Sequence, residues 1–264
     1  MKRVVLTIGG SDSWAGGGVA TDLKTMEAFG VFGVMALTCV AVADDVQGFV
    51  IRPLDAELFK QQLATLEASY DFHAIKIGLI STIEMVDIVS GFLSRQTCPI
   101  VVDPVLAFKE TDERYDVAYV QAIAQLCRQA TVITPNLVET MMLSGVDAIH
   151  SLAMAEEVGQ QLHVQLGVPV IVKGGGRLAT EGAIDILCYE SGCQLFAASK
   201  LAQPTVNGAG CSFASAIAAN LAQGVDLITA INRAKDFVHC SIENGYILKD
   251  GSGNVWYGGC KYER

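Results

Sequence analysis

Six short apolar runs, each followed by a stretch of different period, most constrain what this chain can fold into. They span residues 3–8, 34–42, 74–77, 100–103, 131–134 and 168–172. Each is continuously apolar rather than alternating, which predicts strands covered on both faces. Helix-spaced apolar residues lie between or after them. Leu58, Leu63 and Leu66 mark one face, Val117, Val120, Ile123 and Cys127 a second, and Ile228, Ile231, Val238 and Ile242 a third. Residues 184–189 and 194–198 read as a hairpin about Glu190-Ser191-Gly192. Repeated strand-then-helix order predicts an α/β fold: a three-layer α/β/α sandwich around a mainly parallel sheet. With no repeat or low-complexity linker, residues 1–264 read as a single domain.

In such sheets the ligand crevice lies beyond the carboxyl ends of the strands. The first run leads into Gly9-Gly10-Ser11-Asp12-Ser13 and Gly16-Gly17-Gly18, with a helix expected from about Asp22. The glycine spacing fits neither a Walker loop nor the dinucleotide fingerprint, so a tight strand-to-helix turn is the competing reading. Asp103-Pro104-Val105 ends another run; Asp103 suits a metal or phosphate, or simply starts a turn. In Thr134-Pro135-Asn136-Leu137-Val138-Glu139, Asn136 and Glu139 have capping-box spacing, while Glu139 could instead hold Mg²⁺. Lys173 with Gly174, Gly175 and Gly176 suits a nucleotide phosphate, or a solvated turn. The sharpest signal is Asn207-Gly208-Ala209-Gly210-Cys211, which opens an alanine-rich helix. Free amides at that start suit a transferring phosphoryl group. They should also lower the Cys211 pKa, and a thiolate there could take a proton from a substrate hydroxyl. Core packing is the alternative for a cysteine in an apolar helix.

Charge and cysteine content bound the function classes. The formal net charge of −10 argues against a nucleic-acid or acidic-lipid partner. The eight cysteines show no C-x-x-C spacing, so neither a zinc knuckle nor a redox motif is visible. Seven of them, all but Cys211, read as reduced core thiols. The N-terminal apolar run is too short for a signal-peptide core, and residues 31–43 fall short of a membrane span. The expectation is a soluble, cytoplasmic protein.

Taken in order, Gly9-Gly10-Ser11-Asp12-Ser13, Asp22-Leu23-Lys24-Thr25, Asp103-Pro104-Val105, Thr134-Pro135-Asn136-Leu137-x-Glu139, Lys173-Gly174-Gly175 and Gly208-Ala209-Gly210-Cys211 resemble the bacterial hydroxymethylpyrimidine kinase and pyridoxal kinase group of the ribokinase superfamily. The match runs from Leu6 to about Asn244. The resemblance implies a ribokinase-like fold, ATP, Mg²⁺, a homodimer, and phosphoryl transfer to the hydroxymethyl group of a planar heterocycle. It implies an anion hole at Gly208, Ala209 and Gly210, with Cys211 in the place of the catalytic base. Gly10, Ser11 and Asp12 are implied at the substrate, with Ala43 and the lid-region Lys109. Asn136, Lys173, Gly174 and Gly175 are implied at ATP, and Asp103 and Glu139 at the metal.

The branch within that group is read from particular positions. Ala43 stands where the thiamine-pathway kinases usually carry a pyrimidine-facing Gln. Gly174-Gly175-Gly176-Arg177-Leu178 and Ala183-Ile184-Asp185-Ile186-Leu187 look more like the pyridoxal kinases, whereas Lys173 is often seen in the thiamine branch. Asn207 replaces a His common to both, and Phe108 stands where some pyridoxal kinases carry a lid cysteine. The leading expectation is a kinase of pyridoxal, pyridoxine and pyridoxamine, with hydroxymethylpyrimidine or its phosphate as the alternative acceptor. A non-catalytic vitamin- or nucleotide-binding protein is the third reading. Polar residues 108–115 are expected to close as a lid.

Overall fold

The computed structural model describes residues 2–44, 48–106, 116–178, 180–258 and 260, with the side chains of 43–49 outside that description. Strand β1 (Val4–Asp12) leads through a glycine turn to α1 (Gly18–Ala28), β2 (Phe32–Asp44), β3 (Gly48–Pro53) and α2 (Ala56–Ser69). Next come β4 (Ala74–Ile77), α3 (Ile83–Leu93), β5 (Ile100–Val102), α4 (Val117–Cys127), β6 (Val132–Ile133), α5 (Leu137–Ser144) and α6 (Leu152–Leu166). The chain then runs through β7 (Val170–Gly175), the hairpin β8 (Gly182–Tyr189) and β9 (Gly192–Ser199), α7 (Ala209–Ala222) and α8 (Leu227–Glu243). A short ribbon, β10 (Tyr246–Ile247) with β11 (Gly253–Asn254), follows.

The large sheet has the order β3-β2-β1-β4-β5-β6-β7-β8-β9. Strands β2, β1, β4, β5, β6 and β7 pair in parallel in that order, and β3, β8 and β9 add antiparallel edges. Alternate residues of one strand serve two cores, which is why the runs are continuously apolar. On β5, Ile100 and Val102 pack with Phe59 of α2, Met85 of α3 and Leu162 of α6. Val101 between them packs with Met26 of α1, Ile217 of α7 and Phe237 of α8. The three-layer expectation is met: among the described residues five helices lie on one face and three on the other.

The differences from the sequence reading have local causes. Strand β1 continues four residues past Ile8, because β2 pairs alongside it as far as Asp12. Helix α1 begins at Gly18 rather than near Asp22, whose carboxylate is buried instead of capping. Lys173, Gly174 and Gly175 lie inside β7, because β8 pairs with it to Gly175. Strand β3 was not foreseen; its GFVIRP sequence lacks a clear period. Leu58 and Val117 are exposed at 50% and 70%; Phe59 takes the core position on α2. Nor are seven cysteines reduced: Cys240 and Cys260 form a disulfide between α8 and the segment after β11. The chain reverses after α8 and brings Cys260 back against that helix, a proximity their spacing of 20 residues does not encode.

Candidate active site

A cavity of about 490 Å³ opens at the carboxyl ends of β1, β2, β4, β5 and β7. Gly10, Ser11 and Asp12 form one wall, as expected of the first loop. Asp12 Oδ1 accepts the Gly16 amide at 2.9 Å, so this carboxylate shapes its own loop. Cys39 and Ala41 of β2 also line the cavity. Ala43 lies further along the same strand, with its side chain outside the described residues. Lys109 and the expected lid at 108–115 fall outside the described residues too, except in sequence.

Against the glycines of the first loop, α7 starts at Gly208, its N-cap. Gly208, Gly210 and Cys211 face the cavity, and Ala209 completes that first turn. Amides of the turn have no acceptor within the helix, although the Ala209 amide is taken by the Val206 carbonyl. The Lys173 ammonium stands beside this turn; a Cβ added to Gly210 would lie 3.3 Å from it. A helix start and an ammonium facing one cavity suit an anion.

Lys173 Nζ also donates to Asp103 Oδ1 at 2.5 Å, and Thr134 Oγ1 donates to the same oxygen at 3.1 Å. Burial works against the Lys173 charge, but the carboxylates of Asp103 and Glu139 outweigh it and hold the ammonium above its ordinary pKa. Asn136 and Glu139 form the capping box of α5. Asn136 Oδ1 accepts from Val138 and Glu139, and Glu139 Oε2 accepts the Asn136 amide at 2.7 Å. Glu139 Oε1 accepts from Leu106 at 3.3 Å. Both residues nevertheless border the cavity. Burial drives the Glu139 carboxyl up to about 7, against the pull of Lys173, with the Asp103 charge adding to the rise. The cavity wall includes Lys173, while Gly174 and Gly175 continue β7; Gly174 packs against Leu178 and the Gly175 amide donates to Asp185.

Mg²⁺ prefers oxygen ligands and commonly binds through one or two carboxylates together with phosphate and water. The described side-chain hydrogen bonds of Asp103 fall on Oδ1, and Glu139 stands beside it at the cavity. Among the described residues no three His, Cys, Asp or Glu side chains gather into a protein cage. That donor set fits Mg²⁺ shared with phosphates.

The expectation of a thiolate-favouring Cys211 is corrected. Burial pushes its thiol up to about 11; the Lys76 ammonium and the Gly18 amide pull it down, while Asp22 and Asp103 add to the rise. The helix start does not offset the loss of water around the sulfur. Lys76 was missed by the sequence reading. It is fully buried on β4, borders the cavity, and donates to Asp22 Oδ2 at 2.9 Å. A lysine inside the run Ala74-Ile75-Lys76-Ile77 was the available signal, since a buried ammonium requires a partner. The ribbon after α8 was missed as well. Leu248, Asp250, Ser252 and Asn254 complete the wall, and Asn254 Nδ2 donates to the Trp14 carbonyl at 2.7 Å.

A parallel sheet whose strand ends carry a lysine, two carboxylates and a glycine-opened helix start defines a ribokinase-like small-molecule kinase. Known proteins agree. The phosphomethylpyrimidine kinase family matches residues 12–256, so the chain belongs to that family. Pyridoxine kinase of Bacillus subtilis is 33% identical over 247 residues, covering 92% of this chain and 91% of that protein. The structure of pyridoxal kinase from Staphylococcus aureus in complex with AMP-PCP and pyridoxal superposes with a TM-score of 0.90 at 31% identity, covering 98% and 94% of the two chains. Phosphomethylpyrimidine kinase from Clostridium difficile gives 0.77 at 29% identity, covering 90% and 98%. Among the described residues no helix is long and apolar enough to cross a membrane.

Proposed function

We propose that this kinase transfers the γ-phosphoryl group of ATP to the hydroxymethyl group of pyridoxal, pyridoxine or pyridoxamine. The carrying observation is the closer superposition on a pyridoxal kinase, 0.90 over 98% of the chain, than on a phosphomethylpyrimidine kinase, 0.77 over 90%. Lysines 76 and 173, the described lysines on the cavity, are both ion-paired, leaving little charge for the second phosphate of a pyrimidine monophosphate. The reading takes residues 1–264 as one kinase domain acting on a small vitamin and ATP as a cytoplasmic homodimer.

The vitamin sits against the first loop, with Gly10, Ser11 and Asp12 around its ring. The phosphates lie over the start of α7, with the Gly208–Gly210 turn and Lys173 neutralising charge as it moves toward the transferred oxygen. Asp103 and Glu139 would hold Mg²⁺, which supplies further neutralisation of the phosphates when bound. Asn136, beside the phosphates, caps the first turn of the helix that carries Glu139. Cys211, as thiolate, takes the hydroxymethyl proton as the oxygen–phosphorus bond forms and the ADP oxygen leaves. Lys109 and the 108–115 segment would exclude water from the reacting centre.

The test is steady-state ADP release with pyridoxal, pyridoxine and hydroxymethylpyrimidine in parallel. The reading expects the highest kcat/KM with a pyridoxal-type acceptor. A clear preference for the pyrimidine would move the chain to the thiamine branch, and no turnover with any of the three would remove the catalytic reading.

A further inference from the structure

The catalytic cysteine sits on one rung of a two-rung contact between α1 and α7. On the first rung the Gly18 amide donates to Cys211 Sγ at 3.4 Å. On the second, Ser215 Oγ donates to Asp22 Oδ1 at 2.7 Å. Positions four apart share a helix face, so Gly18 and Asp22 stack on α1 as Cys211 and Ser215 do on α7. The second rung is anchored to the sheet. Asp22 Oδ2 accepts Thr7 Oγ1 of β1 at 2.6 Å and Lys76 Nζ of β4 at 2.9 Å. Thr7, Asp22, Lys76 and Ser215 are all fully buried.

An ion pair placed so deeply is an expensive way to fill space. Well-packed apolar residues often do so with equal or better stability. Nor does the mechanism above use either charge. What distinguishes the place is its neighbour: Lys76 and Cys211 share the cavity wall.

We propose that Lys76 and Asp22 are a positioning pair for Cys211: Asp22 locks together the two helix turns that hold the sulfur, and Lys76 supplies the positive field in which the thiolate forms. This rests on the reading of Cys211 as the base. The titratable groups around the sulfur come from five segments of the chain. Lys76 of β4 and Lys173 of β7 are the cations, and Asp22 of α1 and the Asp103 that follows β5 are the anions. The Tyr257 hydroxyl approaches from the segment after β11. Removing Lys76 takes a cation from around the sulfur and removing Asp22 takes an anion, so the two changes move the local field in opposite senses. Lys76 is the strongest influence opposing the burial of the thiol, and Asp22 acts the other way. Burial works against the Lys76 charge in turn, but Asp22 foremost holds that ammonium above its ordinary value.

The experiment reads the sulfur directly, without turnover. The full chain is treated with iodoacetamide at pH 8, and carboxamidomethylation of Cys211 is timed by peptide mass spectrometry. The thiolate displaces iodide, so the rate follows the thiolate fraction. Cys211 is partly open to the cavity, which admits the reagent. Lys76→Met should slow alkylation about tenfold and Asp22→Asn should speed it about threefold, charge effects of about one and about half a pH unit, with Lys76 the larger influence at the sulfur. Lys76→Arg, which keeps the cation, should stay within about twofold of wild type on the same grounds. Loosened packing alone would expose the sulfur and speed both Lys76→Met and Asp22→Asn. Either single change strands a buried charge, so the double variant Lys76→Met/Asp22→Asn, which strands none, is measured beside them. Since Lys76 outweighs Asp22 at the sulfur, the double variant should react more slowly than wild type. An unchanged rate in the double variant, or shifts of one sign in both singles, overturns the proposal. The two readings separate cleanly. Full turnover by Cys211→Ala removes the base while leaving the alkylation shifts intact; unmoved alkylation beside an inactive Cys211→Ala removes the pair alone.

Discussion

Replacing Gly18 by alanine tests whether the join between first loop and α1 is as tight as the geometry says. Gly18 has φ +62°, and a Cβ built there would lie 2.1 Å from the Gly10 carbonyl oxygen. The atom met is backbone, and the position of a Cβ does not depend on a rotamer, so no rotamer change relieves the overlap. Left-handed backbone costs a non-glycine residue about 1–2 kcal/mol. Forcing apart packed atoms adds about 1–3 kcal/mol. The sum is about 2–5 kcal/mol, or roughly 4–20 °C in Tm for a chain of this size. Gly30 is the internal control. Its φ is +71°, but an added Cβ meets nothing within 4 Å. Gly30→Ala should therefore carry only the backbone cost, about 1–2 kcal/mol. The two variants are compared by urea unfolding and by kcat. Gly18→Ala should also lower kcat, because its amide is the one that donates to Cys211 Sγ; Gly30→Ala should leave kcat unchanged. Equal loss of stability in both would refute the steric reasoning, whatever the activities.

Cys211→Ala should lower kcat by about 10²–10⁴ with little change in KM. With the free-enzyme thiol at about 11, wild-type kcat/KM should keep rising above neutrality, and a plateau below pH 8 would count against a thiolate base. Glu139 is buried with its carboxyl raised from 4.5 to about 7. The folded chain thus holds that proton more tightly than the unfolded one, so this contribution is present below pH 4.5 and is lost as pH rises through 7. Relative to Glu139→Gln, wild type should lose up to about 3 kcal/mol across that window, read from urea midpoints, and parallel pH curves would contradict it. Reducing the Cys240–Cys260 disulfide should cost about 2–4 kcal/mol, seen as a fall in Tm that Cys240→Ser reproduces; a Tm indifferent to dithiothreitol would argue that the link does not form.

Sequence alone determined the layers of this protein. Runs such as Ile100-Val101-Val102 are apolar on both sides, and only a sheet between two helix layers buries both. It also determined the helix start at Gly208, since glycine spacing and the alanine run that follows are local properties. Tertiary structure decided the electrostatics. Lys76 sits 54 positions from Asp22, and Ser215 lies 193 positions from the same carboxylate; no local period relates them. The sign of the Cys211 shift was decided there too. A helix terminus is written in the sequence, whereas the water removed from around the sulfur depends on everything folded over it. The same holds for Cys260, whose disulfide partner is set by the reversal of the chain after α8. Local chemistry is read from neighbours along the chain; charge and solvation depend on neighbours in space, which only the fold brings together.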